Sequence, residues 1–507
     1  MENLNKEKSK ALAIKLITDA ELEPASIDAV SLLPSFMEKL SEYEKAAGRS
    51  FAAIPQDVRS ELIFRRLQQL VNIALLNPAW KERLNADKAP DTWEEWQSIP
   101  LCDKETATTF FTGQRPGMIV PLSKGGFEIV ASGGTSTGKP SETVYPLKEL
   151  TDTYKLAGDF IGRHMLKTYL TSPVKWLTTT LADYQMWSSG TMVGGVLQNV
   201  PGVNYIGAGP VSASVFGQMM SYEGDKAIMG ITQSIEKLPQ LGYGLPSNVR
   251  ASLKVAMYGS GVLTARQRKE LMAAYPNVSI LSYFAATQAE AIGLQIDAES
   301  SCLVPVPGLH LVEIVDENGH WVKEGEIGEL VVTRLHATEA PVLRYKVGDR
   351  MIRREALDTE ELKAMQFEFA GRSGEVLQIR DTQYPVTSVW EAVCNEFANA
   401  GIKDLADDAY HYQFLNNRAQ GCLQLLIEVD NPAAMFAKTM FLAPYGGLPN
   451  LFVRSLVASL SIFNELETDV AYLMKSGYTF NIRFLPKDST ELYRTEVGKV
   501  PLLQDII

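Results

Sequence analysis

The stretch from Ala131 to Pro140 places three glycines, four hydroxyl side chains and one lysine within ten positions. Glycine lets the backbone approach an anion closely, hydroxyl and amide groups donate hydrogen bonds to it, and lysine adds positive charge. The ligand indicated by this composition is a polyphosphate. The stretch is not a Walker A loop, because Lys139 is followed by Pro140, which prevents a helix from starting directly on the lysine. A solvent loop is the alternative, since such clusters usually form one.

The elements around this loop predict an α/β fold. The strand-like run 127–130 precedes the loop and the run 142–145 follows it, so the loop leaves and rejoins a sheet. Between residues 120 and 350, further strand-like runs alternate with helical stretches, as in βαβ units around a largely parallel sheet. The clearest are strands at 174–178, 252–258 and 278–283, with a helix at 263–272. Residues 309–353 predict a β-rich segment with a hairpin turn at 317–319.

The chain divides into regions of different pattern. Residues 1–100 are predicted to be mainly helical, because apolar residues recur every three to four positions. We expect a boundary near residue 372, with 1–372 as a large N-terminal domain and 373–507 as a small α+β domain. The C-terminal region of about 135 residues lies within the normal range of domain lengths.

Composition excludes several classes of protein. The formal charge is −12 and the pI about 5.2, which argues against a nucleic-acid surface because phosphate neutralisation needs a basic face. The four cysteines form no Cys-x-x-Cys pair, so neither a zinc site nor a disulfide framework is indicated. The sequence shows no apolar signal core and no run long enough to span a membrane. We expect a soluble cytoplasmic protein.

Four further stretches carry groups that could do chemistry. Residues 283–290 place aromatic, hydroxyl and carboxylate side chains at a strand end, where open α/β sheets bind ligands. Asp349 adjoins a glycine, Arg372 follows a glycine near the predicted boundary, and Lys499 follows Gly498 close to the end. Each has an ordinary alternative: a strand-to-helix turn, a turn-forming aspartate, a simple hinge and a solvated tail lysine.

Taken in chain order, these stretches resemble the adenylate-forming superfamily of acyl- and aryl-CoA ligases, luciferase-like enzymes and stand-alone adenylation domains. The resemblance runs from about residue 120 to 500 and is closest in style to the phenylacetate–CoA ligase branch. It implies a large N-terminal AMP-binding domain and a small mobile C-terminal domain. It also implies that a carboxylate attacks the α-phosphorus of ATP, giving an acyl adenylate and pyrophosphate. The acyl group then passes to a thiol, on CoA or a carrier protein, or to an amine.

The resemblance assigns roles to particular residues. Asp349 would bind the ribose hydroxyls, Arg372 the ribose and phosphate, and Lys499 the carboxylate and α-phosphate during adenylation, with Thr287 as a further catalytic residue. The remaining nucleotide-binding residues are those of the phosphate loop and the adenine pocket: Ser132, Thr135, Ser136, Thr137, Gly138, Lys139, Gly259, Ser260, Gly261, Tyr283 and Phe284. The cofactors implied are ATP or AMP and Mg²⁺, with CoA as one candidate acceptor.

The chain departs from the family pattern at several positions. Gln288 stands where the family has a glutamate that helps hold Mg²⁺, and a neutral amide is a poor ligand for a hard cation. Glu290 is the candidate replacement. Glu375 replaces the hinge aspartate, while Gln378 and Asp381 replace a lysine and a glycine nearby. The alternative hypothesis is therefore a catalytically impaired homologue that binds a nucleotide or ligand.

The acyl pocket of the family forms upstream of the aromatic–threonine turn. Here the candidates are Tyr184, Trp187 and Gly209, with further small residues at Gly190, Gly194, Gly195 and Gly207. The aromatic pair suits an aromatic or unsaturated small-molecule acid, although such residues are also common in ordinary cores. The helical first hundred residues are a candidate face for a homodimer.

Overall fold

The computed structural model describes residues 4–132, 141–380, 382–460, 466–496 and 498–506. The chain folds as two compact units. The first comprises Met1–Ile231, Gly244–Ser260 and Asn277–Phe369, and the second comprises Thr232–Tyr243, Gly261–Pro276 and Ala370–Ile507. The boundary expected after residue 372 stays a prediction, because the second unit also takes in two segments from the middle of the chain.

Helices and strands are both abundant, so the predicted α/β class is confirmed. The helices are α1 (Lys6–Leu16), α2 (Asp19–Leu22), α3 (Ile27–Ser31), α4 (Phe36–Ala47), α5 (Gln56–Leu75), α6 (Pro78–Leu84), α7 (Trp93–Gln97), α8 (Lys104–Phe111), α9 (Leu147–Phe160), α10 (Ser189–Gln198), α11 (Ala213–Met220), α12 (Thr232–Ile235), α13 (Leu238–Leu241), α14 (Ser247–Arg250), α15 (Ala265–Ala274), α16 (Val386–Asn399), α17 (Leu405–Asp408), α18 (Pro432–Thr439), α19 (Gly447–Ala458) and α20 (Leu466–Met474).

Within the described residues, the strands belong to three larger sheets and two hairpins. They are β1 (Phe127–Ser132), β2 (Ser141–Pro146), β3 (Lys175–Thr179), β4 (Asn204–Gly207), β5 (Asp225–Ile231), β6 (Leu253–Gly259), β7 (Ser279–Ala286), β8 (Glu290–Leu294), β9 (His310–Val315), β10 (Ile327–Arg334), β11 (Tyr345–Asp358), β12 (Lys363–Arg372), β13 (Val376–Ile379), β14 (Thr382–Pro385), β15 (His411–Asn417), β16 (Cys422–Val429), β17 (Thr479–Pro486) and β18 (Leu503–Ile506).

The N-terminal helices share one apolar core, as their periodicity predicts. Helix α5 buries Leu62, Leu67 and Leu70 completely. Helix α7 begins at Trp93, and the Thr92 side chain caps it by accepting from the Glu95 amide at 3.2 Å. Within the described part of the chain, no helix has the length and hydropathy required to cross a bilayer.

The first unit contains a six-stranded sheet in the order β4-β3-β5-β6-β7-β8. All neighbours run parallel except β7 and β8, which form an antiparallel hairpin. The carboxyl ends of the parallel strands therefore meet at one edge of the sheet, where doubly wound folds bind ligands. The segments that follow β6 and β7 leave from this edge.

Two antiparallel elements complete the first unit. Strands β12-β11-β10-β9 form a four-stranded sheet, which is the β-rich segment predicted for 309–353. Strands β1 and β2 form a hairpin in which Ser132 pairs with Ser141. The glycine-rich stretch connects these paired ends, and its residues 133–140 lie outside the described residues.

The second unit has its own core around the sheet β17-β16-β15-β18. Strands β15 and β16 are antiparallel, while β17 and β18 each pair parallel with a neighbour. Apolar side chains of α16 and α19, such as Val393, Phe397 and Phe452, are buried in this core. A sheet with helices of this kind is the α+β architecture predicted for the C-terminal region.

A partly buried polar network around His411 joins distant segments of this unit. The His411 ring lies 3.2 Å from the Glu236 carboxylate and 2.8 Å from that of Glu428. The Gln267 amide is 2.6 Å from Glu236, and the Arg494 guanidinium is 2.9 Å from Glu428. Although burial alone lowers the pKa of His411, the two carboxylates raise it to about 9. His411 is therefore an imidazolium at neutral pH.

We predict that this network stabilises the fold below pH 6.5 and loses its effect as the pH rises through about 9. The direction follows because the folded-state pKa is raised above the ordinary 6.5, so folding favours the protonated ring. The contribution is about 3.5 kcal/mol at most, since one pKa unit corresponds to about 1.4 kcal/mol. Denaturant unfolding of wild type and His411→Gln, measured from pH 6 to 10, should give a stability difference that shrinks with pH. A difference that stays constant would contradict this assignment.

Candidate active site

Strand β7 carries the predicted aromatic residues, and the turn between β7 and β8 carries the predicted threonine. Tyr283 is buried and its hydroxyl donates to the Gly230 carbonyl at 3.1 Å, while Phe284 is half-buried. Thr287 is half-buried, and its carbonyl accepts a 2.8 Å hydrogen bond from the Tyr145 hydroxyl. Gln288 is only 7% exposed. Strand β7 and the turn that follows it are thus hydrogen-bonded to the interior through Tyr283 and Thr287.

Glu290 follows this turn in a left-handed backbone conformation, with φ of 48°. It is 8% exposed, and neither carboxyl oxygen has a hydrogen-bond partner among the described residues. Burial raises the pKa of Glu290 to about 8, and the nearby charge of Glu149 adds to the effect. The Thr153 hydroxyl favours the charged form, although it donates its own hydrogen bond to the Leu150 carbonyl at 3.2 Å. Glu290 is therefore a buried acid with unused hydrogen-bonding capacity.

A buried ion pair lies behind the turn. Arg334 at the end of β10 donates to one Glu149 carboxyl oxygen from Nε at 2.9 Å and from Nη2 at 2.7 Å. Both side chains are almost fully buried. The guanidinium also lies 3.8 Å from the centre of the Tyr145 ring. A charge-assisted pair stacked on an aromatic face fixes all three side chains in one arrangement.

The end of β6 packs directly against Tyr283 of β7. Gly259 lies under the Tyr283 ring, and a Cβ added at this glycine would be 2.5 Å from the ring edge. Ser260 follows in a left-handed conformation, with φ of 68°. Gly261 belongs to the second unit. Two of the predicted adenine-pocket residues, Gly259 and Tyr283, are therefore brought together.

Asp349 lies on β11 of the four-stranded sheet and is 8% exposed. The preceding Gly348 has φ of 91°, a conformation that favours glycine. The backbone bend at Gly348 thus sets the position of the Asp349 carboxylate, which is predicted to bind the ribose.

The predicted substrate-pocket aromatics form a tight turn of their own. Tyr184 and Trp187 exchange two backbone hydrogen bonds of 3.0 and 2.7 Å, and the residues between them have φ of 46° and 66°. Such a conformation is strained for side chains larger than glycine. The Met186 carbonyl accepts from the Ala131 amide at 3.0 Å, which connects this turn to β1 just before the glycine-rich stretch.

Two different constraints explain why glycine occupies positions near this turn. A Cβ at Gly194 would lie 2.8 Å from the Tyr205 hydroxyl, and one at Gly195 would lie 2.3 Å from the Tyr154 ring. These two glycines make room for the protein's own tyrosines. Gly209 has φ of 62° and only Ala182 within 4 Å of an added Cβ, so backbone conformation accounts for it. Its lining of an acyl pocket stays a prediction.

The other predicted residues belong to the second unit or lie outside the described residues. Arg372 ends β12, and its guanidinium is 3.8 Å from the Glu375 carboxylate. Lys499 lies in a turn in which its amide donates to the Thr495 hydroxyl at 3.1 Å and its carbonyl accepts from the Thr495 amide at 2.9 Å. The predicted positions outside the described residues are Thr135, Ser136, Thr137, Gly138, Lys139 and Asp381.

The donor set is compatible with magnesium that arrives bound to ATP. Within the described residues there is no group of three or more His, Cys, Asp or Glu side chains able to hold a metal. Mg²⁺ in nucleotide enzymes is usually held by one or two carboxylates together with phosphate oxygens. Glu290 fits this chemistry, because its buried carboxyl oxygens have no hydrogen-bond partner among the described residues.

A separate cavity of about 340 Å³ lies between the N-terminal helices and β9. Trp93, Trp321, Glu313 and Arg353 are among its lining residues. None of the predicted site residues lines it, so it has no part in the candidate site.

Sequence reasoning misses the residues that hold the site together. It predicts Tyr145 only as part of a strand, and it singles out neither Glu149 nor Arg334. Arg334 and Glu149 are 185 positions apart, so no local pattern could pair them. A charged residue in an apolar strand such as β10 is the one signal that could have drawn attention to Arg334, since charges are rarely buried unpaired.

Comparison with known proteins identifies the fold. No protein-family model and no curated protein sequence matches this chain. A solved structure of 2-hydroxyisobutyryl-CoA ligase, in the postadenylation state with 2-HIB-AMP, matches with a TM-score of 0.65 and 14% identity, covering 90% of this chain and 91% of that one. The acyl acid amido synthetase AtGH3.15 in complex with 2,4-DB matches with a TM-score of 0.61 and 12% identity, covering 93% and 95%.

A third match is ATP-bound MatB from Rhodopseudomonas palustris, with a TM-score of 0.50 and 14% identity, over 73% of this chain and 66% of that one. At such low identities the likeness establishes the fold. This chain shares the fold of these structures, which is the fold that the sequence resemblance predicted.

We predict that Gly259→Ala weakens nucleotide binding by displacing the Tyr283 ring, because the added methyl group would overlap it at 2.5 Å. Overpacking of this kind typically costs about 1–3 kcal/mol. ATP affinity by calorimetry and the thermal unfolding midpoint would both be measured. The matched control is Gly217→Ala in α11, where the added Cβ meets only Leu245 at an ordinary 3.5 Å. Equal ATP affinity in the two variants would contradict a role for Gly259 in the adenine pocket.

Proposed function

We propose that this protein is an ATP-dependent ligase that activates a carboxylic acid as an acyl adenylate, releases pyrophosphate and transfers the acyl group to a thiol or amine. The observation that supports it best is the match, over 90% of the chain, to a ligase structure that contains an acyl–AMP. The predicted motifs are a second support, because they occur in the order typical of that fold. The adenylate intermediate is common to both acceptor classes.

In this proposal the first unit binds the nucleotide. Asp349 accepts hydrogen bonds from the ribose hydroxyls, and Tyr283 lines the adenine beside Gly259. The glycine-rich stretch from Ser132 to Lys139 binds the phosphates through hydroxyl, amide and lysine donors. These groups offset the unfavourable net charge of −12 where the polyphosphate binds.

The same proposal assigns the reacting end of the site. Thr287 orients the acid and the α-phosphate, Arg372 contacts the ribose and phosphate, and Lys499 stabilises the charge that develops on the α-phosphate. Phosphoryl-type transfer depends mainly on positioning and charge stabilisation, so hydroxyl and cationic groups are sufficient. Mg²⁺, held by Glu290 and the phosphate oxygens, would neutralise part of the phosphate charge when bound.

The second step is proposed more broadly. The similar structures include a CoA ligase and an acyl acid amido synthetase, so both a thiol and an amine acceptor are represented among them. We favour CoA slightly over an amine or a carrier-protein thiol. The Tyr184–Trp187 turn suggests an aromatic or unsaturated acid, because flat rings pack well against aromatic side chains. A mobile domain of residues 373–507 would bring Lys499 to the site and exclude water from the reactive adenylate.

We predict that wild-type protein exchanges labelled pyrophosphate into ATP when supplied with the correct acid and no acceptor. A panel of aryl, acyl and amino acids would be tested. Lys499→Ala should abolish exchange while ATP binding persists, because the lysine acts on the transition state. Asp349→Ala should instead weaken ATP binding by about 1–3 kcal/mol, since it removes a charged hydrogen-bond acceptor. Lys438→Ala, an exposed lysine on α18, is the control for Lys499.

The results for Lys499→Ala and for wild type test different parts of this proposal. Near-normal exchange in Lys499→Ala would remove the lysine from the mechanism but leave adenylation intact. Silence of wild type across the whole panel, with ATP binding confirmed by calorimetry, would favour the alternative of an impaired nucleotide-binding homologue.

That alternative rests on Gln288, which is 7% exposed and occupies the position of the family's magnesium-binding glutamate. We predict that Gln288→Glu lowers the Mg²⁺ concentration needed for half-maximal exchange, because a carboxylate binds this hard cation better than an amide. The size-matched Gln288→Met serves as the control for a purely steric effect. An unchanged Mg²⁺ dependence in Gln288→Glu would show that the amide is not a defect.

A further inference from the structure

Tyr145 lies at the junction of two parts of the candidate site. It is fully buried on β2, the strand that leaves the glycine-rich stretch, and its hydroxyl donates to the Thr287 carbonyl at 2.8 Å. This hydrogen bond joins residues 142 positions apart. It connects the β1–β2 hairpin to the turn between β7 and β8.

The Tyr145 ring has little freedom to move. The Arg334 guanidinium is stacked 3.8 Å from its centre, and Arg334 itself donates twice to Glu149 and once, at 3.3 Å, to the Val144 carbonyl. Strand β2, helix α9 and strand β10 therefore all fix the position of the ring. The hydroxyl of a phenol held in this way has one fixed position. Forming the hydrogen bond therefore costs little side-chain conformational entropy.

The acceptor of this hydrogen bond determines the geometry of the turn. The Thr287 carbonyl belongs to the peptide plane that joins Thr287 to Gln288. Holding that plane restricts the ψ angle of Thr287 and the φ angle of Gln288, and hence the directions in which the two side chains leave the backbone. An error of about 1 Å in the position of a catalytic group can reduce the rate roughly a hundredfold. The Tyr145 hydroxyl is well placed to prevent such an error.

We propose that Tyr145 is a positioning residue for adenylation, whose hydroxyl holds the Thr287 turn in register with the strand that leaves the phosphate-binding stretch. This inference rests on the proposed function, because Thr287 is taken as a residue of the reacting site. Tyr145 acts through the Thr287 backbone and is not itself assigned to the substrate or nucleotide.

The test is Tyr145→Phe, which removes one oxygen atom and keeps the ring on which Arg334 is stacked. The matched control is Tyr43→Phe. Tyr43 on α4 is also fully buried, and its hydroxyl is hydrogen-bonded 2.5 Å from that of Ser9, among the N-terminal helices. Both variants lose one buried hydroxyl, so both should lower the unfolding midpoint to a similar degree.

Three quantities would be measured: kcat and KM for ATP in acid-dependent pyrophosphate exchange, ATP affinity by calorimetry, and backbone amide hydrogen exchange in residues 284–292. For Tyr145→Phe we expect kcat to fall about tenfold, with KM and ATP affinity within about twofold of wild type. Hydrogen exchange of the turn should become faster in Tyr145→Phe and stay unchanged in Tyr43→Phe.

The outcomes distinguish this inference from the proposed function. If wild type exchanges pyrophosphate into ATP and Tyr145→Phe and Tyr43→Phe have equal kcat, Tyr145 has only a structural role and the inference is wrong. If wild type is silent with every acid, the proposed function fails, and hydrogen exchange still decides whether Tyr145 orders the turn. Unaltered protection of residues 284–292 in Tyr145→Phe would overturn the positioning role in either case.

Discussion

The buried ion pair of Arg334 and Glu149 is the constraint on which the candidate site depends. Taking two charges out of water costs several kcal/mol for each ion, and only close, well-formed hydrogen bonds repay that cost. The Nε and Nη2 groups of Arg334 meet one Glu149 oxygen at 2.9 and 2.7 Å, and the Tyr145 ring covers the guanidinium face. Because either partner alone would be an uncompensated buried charge, β10 and α9 have to keep this relative position. Tyr145 inherits its position from them.

A second group of buried charges organises the other unit. The Glu428 carboxylate is fully buried and accepts from His411, from Arg494 and, at 2.9 Å, from the Ser489 amide. Arg494 immediately precedes Thr495, whose hydroxyl and backbone form the turn that contains Lys499. The position of the predicted catalytic lysine therefore depends on strand β16 through two adjacent interactions. In both units, a residue assigned to catalysis lies next to a charged network that belongs to the core.

The sequence predicts the helices and strands better than the side-chain contacts between them. Alternating strand and helix patterns predict β6, α15 and β7 and the parallel sheet, because period and order are local properties. The strand before the glycine-rich stretch is predictable for the same reason. Tyr145, Arg334 and Glu149 could not be found in this way, since their association depends on contacts between residues far apart in the chain.

Glycines illustrate a related difficulty. The sequence suggests Gly194 and Gly195 as space for a substrate, yet a Cβ at either would collide with Tyr205 or Tyr154 of the protein itself. The sequence shows only that a side chain is absent, and the structure is needed to show what occupies the space. Backbone strain at the Tyr184–Trp187 turn is equally hidden, because Gln185 and Met186 are not residue types that predict positive φ.

Gln288 and Glu290 affect the charge of the candidate site in different ways. Under the proposed function, Gln288 in place of a glutamate leaves one negative charge fewer beside the phosphates of ATP, and two like charges about 4 Å apart repel by roughly 4 kcal/mol at an effective dielectric constant of about 20. The exchange therefore weakens a metal ligand but also weakens repulsion of the polyphosphate. Glu290, whose pKa is raised to about 8 by burial, adds little negative charge at neutral pH until a cation approaches it. Under the proposed function, this arrangement binds the magnesium complex of ATP more readily than a free metal ion. The phosphates supply the negative charge that Gln288 and a protonated Glu290 do not.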